Sequence, residues 1–155
     1  DWDERLWPNE SELALRLQTR LEAVQRRGLA VEIRSKKTEA FLAPWWLSPS
    51  IAYWSGQPAM AGSSHESLSG IVDSARFFLA SDFKQAREIL EEHGVVWIFV
   101  YDADRVLENS QAIVNKVTGQ SLVVLLDRNP SRAPSFLQLK IQNRAGKLYR
   151  VNYFP

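Results

Sequence analysis

The stretch that decides the fold is Val-Val-Trp-Ile-Phe-Val-Tyr, residues 95–101, which carries no charge and no small polar residue. Its β-branched and aromatic side chains favour a strand, and the lack of alternation indicates that both faces are covered. This run is far shorter than the roughly 20 apolar residues that span a bilayer. We therefore predict a central and almost fully buried strand in a parallel sheet.

Helical and strand-like patterns surround this strand on both sides. A helix is predicted over 9–27, with Gly28 as its stop. Asn9 and Glu12 resemble a capping box, and an apolar stripe at helical spacing follows it: Leu13, Leu17, Leu21 and Val24. Further helices are predicted over 49–54, 68–79, 104–117 and 121–127, and another is predicted to begin at a cap formed by Asp82 with Gln85 and to end at Gly94. Short strands are predicted at Leu29–Ile33, Glu39–Ala43 and Pro58–Ala61, and a hairpin over 137–151. Glu39–Ala43 and Pro58–Ala61 are predicted to be parallel neighbours joined by the short helix 49–54.

These elements predict one α/β domain over residues 1–155, with 1–9 as an N-terminal segment. Strands that alternate with helices indicate a mostly parallel sheet flanked by helices, and the hairpin adds an antiparallel edge. The sequence lacks cysteine and has two histidines, which excludes disulfides and thiolate metal sites and disfavours a zinc site. We expect a soluble domain without a metal site.

Charge is balanced overall but uneven along the chain. The net charge of +1 gives no field that would attract nucleic acid. From Arg128 to the C-terminus there are six basic residues and no acidic one. This pattern is typical of a solvated face, and the alternative is a surface that faces anionic lipid or phosphate.

The sequence contains no P-loop, no dinucleotide-binding glycine motif and no nucleophile elbow. Ligands of open parallel sheets bind beyond the carboxyl ends of the strands. Three predicted strands end there in polar or aromatic loops: Trp45–Trp46, Ser63–Glu66 and Asp102–Asp104. We expect these loops to share one rim, and Asp102 also has a structural role available as a helix N-cap.

The stretch from Phe41 to His65, with Trp45–Trp46 near its start, resembles the catalytic subunits of oligosaccharyltransferases and related GT-C membrane glycosyltransferases. In that family a Trp-Trp-Asp-Tyr-Gly motif follows a short apolar strand. Later segments of the family match Ala75–Leu79, Ala86–Leu90 and the strand 95–101, so the resemblance covers roughly residues 40–102. The motif's Asp, Tyr and Gly positions are occupied here by Leu47, Ser48 and Pro49.

The resemblance implies an extracytoplasmic C-terminal domain, periplasmic or at the cell surface, of a polytopic membrane glycosyltransferase. Such enzymes transfer sugar from a polyprenyl-phosphate-linked donor to a protein or glycan acceptor. This part would shape the acceptor side, contact its own transmembrane region or the membrane surface, and be inactive alone, without catalytic residues or cofactor. Any divalent metal would belong to the full-length protein. The residues implied in acceptor binding are Trp45, Trp46, Ser48, Tyr53 and His65.

Two alternatives from other classes stay open. The chain could be a free-standing α/β module that binds a ligand or a partner without catalysis. It could also be a small hydrolase in which His65 acts with a nearby serine, although a lone polar histidine in a loop is more often structural.

Overall fold

The computed structural model describes residues 9–60, 68–115 and 119–154. Within these ranges the chain forms six α-helices and four strands. In chain order they are α1 Glu10–Val31, β1 Ala40–Leu42, α2 Ser48–Ser55, α3 Leu68–Leu79, α4 Phe83–Glu92, β2 Val95–Val100, α5 Ala103–Val114, α6 Leu122–Arg128, β3 Leu137–Asn143 and β4 Gly146–Val151. No helix in the described ranges is long and apolar enough to cross a membrane.

The four strands form one mixed sheet in the order β1-β2-β4-β3. β1 runs parallel to β2, whereas β4 runs antiparallel to both β2 and β3. The α/β class and the C-terminal hairpin are confirmed, but the mostly parallel sheet is wrong. The physical reason is that β4, a hairpin strand, occupies the side of β2 where another parallel crossover strand was expected.

The segment that contains Pro58 adds only a single bridge to this sheet. Phe41 donates its N–H to the carbonyl of Pro58 at 3.0 Å, and Met60 donates to the carbonyl of Phe41 at 2.7 Å. These bonds form one parallel bridge between Phe41 and Ala59. The predicted parallel neighbours are therefore confirmed as a bridge and not as a strand, and Ala61 lies outside the described residues.

The strand predicted at Leu29–Ile33 is wrong because α1 continues through this segment to Val31. Gly28 was expected to end the helix, but it does not adopt the left-handed conformation that Gly56 and Gly94 take. Leu29 and Ala30 are buried within α1 and fix its C-terminal end to the domain. Tertiary packing thus makes this segment helical, although its apolar and polar residues alternate as in a strand.

Two apolar clusters cover opposite faces of β2. Ile98 and Val100 lie in the cluster formed with α3, α4, α5 and α6. Phe99 lies in the other cluster, with Phe41 and residues of α1 and α2. The predicted central strand is confirmed, since β2 has a neighbour on each side and buries Ile98, Phe99 and Val100. The strand is less covered than expected at Val96 and Trp97, which are half-buried, whereas Val95 is fully buried.

The basic C-terminal segment does not form a uniformly basic surface. Three of its six cations pair with carboxylates from earlier parts of the chain, at distances of 2.6 to 3.5 Å: Arg128 with Asp104, Lys147 with Asp127, and Arg150 with Glu39. These pairs weigh against the alternative in which this segment faces anionic lipid. The fold therefore places acidic side chains from earlier in the chain beside the basic residues of this segment.

Candidate functional site

Trp46 and Tyr101 meet at the carboxyl ends of the two parallel strands. Trp46 lies in the single 3-10 turn that follows β1, and Tyr101 comes directly after β2. The Trp46 indole nitrogen Nε1 donates to the Tyr101 hydroxyl Oη over 2.5 Å. The rings meet edge to face, with centroids 6.2 Å apart. The shared rim predicted for these two loops is confirmed.

Arginine side chains cover the faces of both rings. The Arg105 guanidinium carbon lies 5.2 Å from the centroid of Trp46, and that of Arg26 lies 5.6 Å from the centroid of Tyr101. Both distances are typical of cation–π contacts. Burial raises the pKa of Tyr101, although the hydrogen bond from Trp46 and the two arginine charges oppose this shift. Tyr101 is therefore a neutral phenol near pH 7.

A polar cavity of about 380 Å³ opens beside Tyr101, between α1, the start of α5 and the turn that joins β3 to β4. Its lining carries both signs of charge, and the groups that bear on its chemistry are Arg26, Arg105, Lys147, Asp102 and Asp127. Lys147 Nζ lies 3.5 Å from an oxygen of Asp127. Such a mixture of donors and acceptors suits a ligand rich in hydroxyl groups better than a purely anionic one.

Asp102 holds the corner between β2 and α5. Its backbone is left-handed, with φ 38° and ψ 70°, a conformation that aspartate tolerates better than most residues. Its Oδ1 accepts from the N–H of Arg105 at 3.3 Å, so the predicted N-cap role is confirmed. The N–H of Ala103, the first residue of α5, donates to Oδ2 of Asp127 at 3.1 Å.

Trp45 stands edge to face against Trp46, with centroids 5.7 Å apart and an interplanar angle of 88°. Ala75 of α3 and Val106 of α5 line the same narrow gap as the two tryptophans, a space of about 10 Å³. Both indoles are half-buried. Trp45 therefore has a structural role, since it packs against α3 and α5.

The remaining predicted site residues do not join this pair. Ser48 is 1% exposed, and its hydroxyl is buried, so an acceptor in solution cannot contact it in this conformation. Tyr53 lies on α2 with 84% of its surface exposed and makes no ring contact with Trp45 or Trp46. His65, together with the loop Ser63–Glu66, lies outside the described residues, so its predicted place at the rim stays a prediction.

A second polar cluster lies where α3 meets the end of α4. His93 Nε2 is 2.8 Å from a carboxylate oxygen of Asp73. A carboxylate oxygen of Glu92 lies within 4.8 Å of a possible ligand atom of each of these two residues. The hydrogen bond between His93 and Asp73 ties the C-cap of α4 to α3. The prediction that the domain binds no divalent metal tightly stays a prediction.

Sequence reasoning missed most of the polar groups at the rim. Tyr101 was assigned to the strand, although its position at the end of an apolar run is a signal for a rim residue. Arg26, Asp127 and Lys147 carry no local signal, because the fold brings them from three distant segments of the chain. Only the topology could have placed them beside Tyr101.

No family model matches this sequence, and no curated protein sequence matches it. Among the solved structures that match its fold are two C-terminal globular domains of oligosaccharyltransferases from Archaeoglobus fulgidus. The first, of AfAglB-S2, has a TM-score of 0.65 and 14% identity, over 84% of this chain and 97% of that domain. The second has a TM-score of 0.57 and 16% identity, over 85% of this chain and 93% of that domain.

In its fold, this chain is an oligosaccharyltransferase-like globular domain. The matches cover nearly the whole of both archaeal domains, so the likeness extends over the fold and not over one motif. At these identities the likeness concerns the fold alone.

Proposed function

We propose that this chain is the extracytoplasmic C-terminal domain of a membrane glycosyltransferase that resembles oligosaccharyltransferases. It shapes the acceptor side of transfer from a polyprenyl-phosphate-linked sugar, next to its own transmembrane region, and does not catalyse transfer alone. The observation that carries this proposal is the fold likeness to the archaeal domains, which spans 97% of one of them.

The position of the tryptophan pair supports an acceptor role. Trp45 and Trp46 lie in the 3-10 turn after β1, at the carboxyl edge where ligands of parallel strands bind. Aromatic rings offer an apolar face to a sugar ring or to an acceptor side chain. The half-buried setting of both indoles leaves part of each ring accessible.

The family motif's Asp and Tyr positions are occupied here by Leu47 and Ser48, and both of these side chains are buried. The motif loop therefore offers no carboxylate or phenol of its own. Across the rim, the end of β2 supplies both groups as Tyr101 and Asp102. We propose that this second loop provides the polar contacts to the acceptor.

Transfer by the full-length protein, in membranes, tests this proposal. Trp46→Ala is expected to reduce transfer by roughly tenfold or more, as loss of a positioning contact does. Tyr53→Ala is the matched control, since this aromatic side chain is exposed and lies outside the Trp46–Tyr101 pair. Full transfer by Trp46→Ala, or an open reading frame without many hydrophobic spans before Asp1, would overturn the assignment.

The cavity beside Tyr101 favours a second candidate, a free-standing module that binds a hydroxyl-rich ligand. A thermal-shift screen of the isolated chain with sugars and nucleotides separates the two candidates. A saturable shift that Arg105→Gln removes would support the binding module, because Arg105 lines the cavity.

A further inference from the structure

The N-terminal part of α1 extends away from the rest of the domain. Every residue from Glu10 to Leu21 is exposed, and the buried residues of the helix, Leu29 and Ala30, lie at its other end. At 1.5 Å per residue the exposed part is about 18 Å long. Asn9 caps it, with Oδ1 accepting from the N–H of Glu12 at 2.8 Å.

This exposed segment carries an apolar stripe. Leu13, Leu17, Leu21 and Val24 are 47%, 59%, 63% and 67% exposed. At about 100° per residue all four side chains lie within about 40° of the direction of Leu17. Single exposed apolar residues are ordinary, but a contiguous row of four marks an interaction surface.

The opposite face of α1 is the one that contacts the domain. The Arg26 guanidinium lies over the ring of Tyr101, and the carbonyl of Gln25 accepts from the side chain of Asn143 at 2.8 Å. Arg26 projects about 180° from Leu17 around the helix. The stripe therefore points away from the described part of the domain, which cannot cover it.

The charges beside the stripe are asymmetric. Arg16, Arg20 and Arg27 all flank it on one side, at about 60–100° from Leu17, and Gln18 and Gln25 flank it on the other. Glu12 and Glu22 project about 140° from Leu17, on the back of the helix. The apolar stripe thus has a cationic border and no acidic one, and Glu10 in the first turn projects about 20° from Leu17, at the N-terminal end of the stripe.

This pattern disfavours a second copy of α1 as the partner. In a parallel pair the arginine border would face glutamines, and in an antiparallel pair it would face the arginines of the other copy. Neither arrangement gives opposite charges across the contact. An anionic surface, in contrast, complements all three arginines at once.

We propose that α1 lies flat on an anionic lipid surface, with the leucine stripe in the headgroup region and the arginine border against lipid phosphates. The sequence just before α1 adds Trp2 and Trp7, a residue type enriched at membrane interfaces. This proposal does not depend on the transferase assignment, because it uses only the surface of α1.

Co-sedimentation of the chain with vesicles tests the proposal. We expect binding to mixed phosphatidylcholine–phosphatidylglycerol vesicles and roughly tenfold or more weaker binding to pure phosphatidylcholine. The double variant Leu17→Gln, Leu21→Gln should lose binding. Leu15→Gln is the matched control, because Leu15 is 64% exposed but projects about 160° away from Leu17.

Charge variants separate the two contributions. Replacing Arg16, Arg20 and Arg27 with glutamine should abolish the preference for anionic vesicles, while circular dichroism reports whether α1 stays helical. Equal binding to both vesicle types by the natural sequence, or equal loss in Leu15→Gln, would overturn the proposal. A dimer in analytical ultracentrifugation that the Leu17→Gln, Leu21→Gln variant dissociates would assign the stripe to a second copy instead.

Discussion

Trp46 and Tyr101, 55 positions apart in the sequence, are joined by a hydrogen bond of 2.5 Å from indole to phenol. Both side chains pack against the apolar clusters on the two faces of the sheet. The pair therefore closes the sheet at the carboxyl ends of β1 and β2. Its contribution to stability and its place at the rim can be measured separately.

A double-mutant cycle with Trp46→Phe and Tyr101→Phe measures this hydrogen bond. Tyr101→Phe leaves the indole N–H without its partner and should cost about 1–3 kcal/mol. The double variant should cost less than the sum of the single ones, with a coupling free energy of about 1 kcal/mol. Urea unfolding gives the values, and Tyr53→Phe on the exposed surface of α2 is the control. Strict additivity would show that the two groups do not interact in solution.

Phe99→Ala should be among the most destabilising single changes in β2. Phe99 is 4% exposed and stands edge to face against Phe41, with centroids 6.0 Å apart. The lost burial and the cavity left behind should cost about 3–5 kcal/mol. Phe83→Ala, at a side chain that is 43% exposed, should cost much less by the same urea titration. Similar costs for both variants would contradict the central position of β2.

Local signals predicted the elements of this fold better than its topology. The apolar run of β2, the Asp82 and Asn9 caps and the hairpin all depend on neighbouring residues, and all are present. The insertion of β4 beside β2 depends on long-range pairing such as Ile98 with Tyr149, which leaves no local trace. A parallel neighbour and a hairpin neighbour would give β2 the same apolar pattern.

The candidate site was predicted only where it follows a strand end. Trp46 and Asp102 lie in the loops that follow two apolar strands, and the shared direction of β1 and β2 places these loops at one rim. Arg26, which covers Tyr101, comes from a helix whose periodic stripe faces the other way. The apolar stripe that the sequence shows in α1 is an exposed face of the helix, and the buried residues Leu29 and Ala30 lie beyond it.

Gly146→Ala and Gly28→Ala should change stability in opposite directions. A Cβ built on Gly146 would lie 2.7 Å from the backbone carbonyl oxygen of Val100, and this backbone cannot move without disturbing β2. Gly28 is exposed within α1, and a Cβ there meets nothing within 4 Å. Gly28→Ala should therefore stabilise by about 0.5–1 kcal/mol through helix propensity. Thermal unfolding of both variants checks the signs, and a stable Gly146→Ala would contradict the close approach of β2 and β4.

Tyr149 should make stability fall steeply in alkaline solution. Its side chain is fully buried, and its hydroxyl donates to the carbonyl of Leu126 at 2.5 Å. Burial, followed by the negative charge of Asp127, raises the pKa of Tyr149 from 10.0 to about 12. Between these pH values the folded state keeps a proton that the unfolded state has lost. The free energy of unfolding therefore decreases as pH rises above 10, by about 2 kcal/mol once pH reaches about 12.

Tyr149→Phe tests this sign directly. The variant should be less stable than the natural sequence near pH 7, because it lacks the hydrogen bond to Leu126, by about 1 kcal/mol. Its stability should then decline less between pH 10 and 12, because the variant lacks the Tyr149 hydroxyl with its raised pKa. Tyr153, whose pKa burial also raises to about 12, retains its own share of the decline. Urea unfolding at several pH values measures both slopes, with the exposed Tyr53→Phe as control, and identical slopes for all three proteins would refute the buried, neutral state of Tyr149.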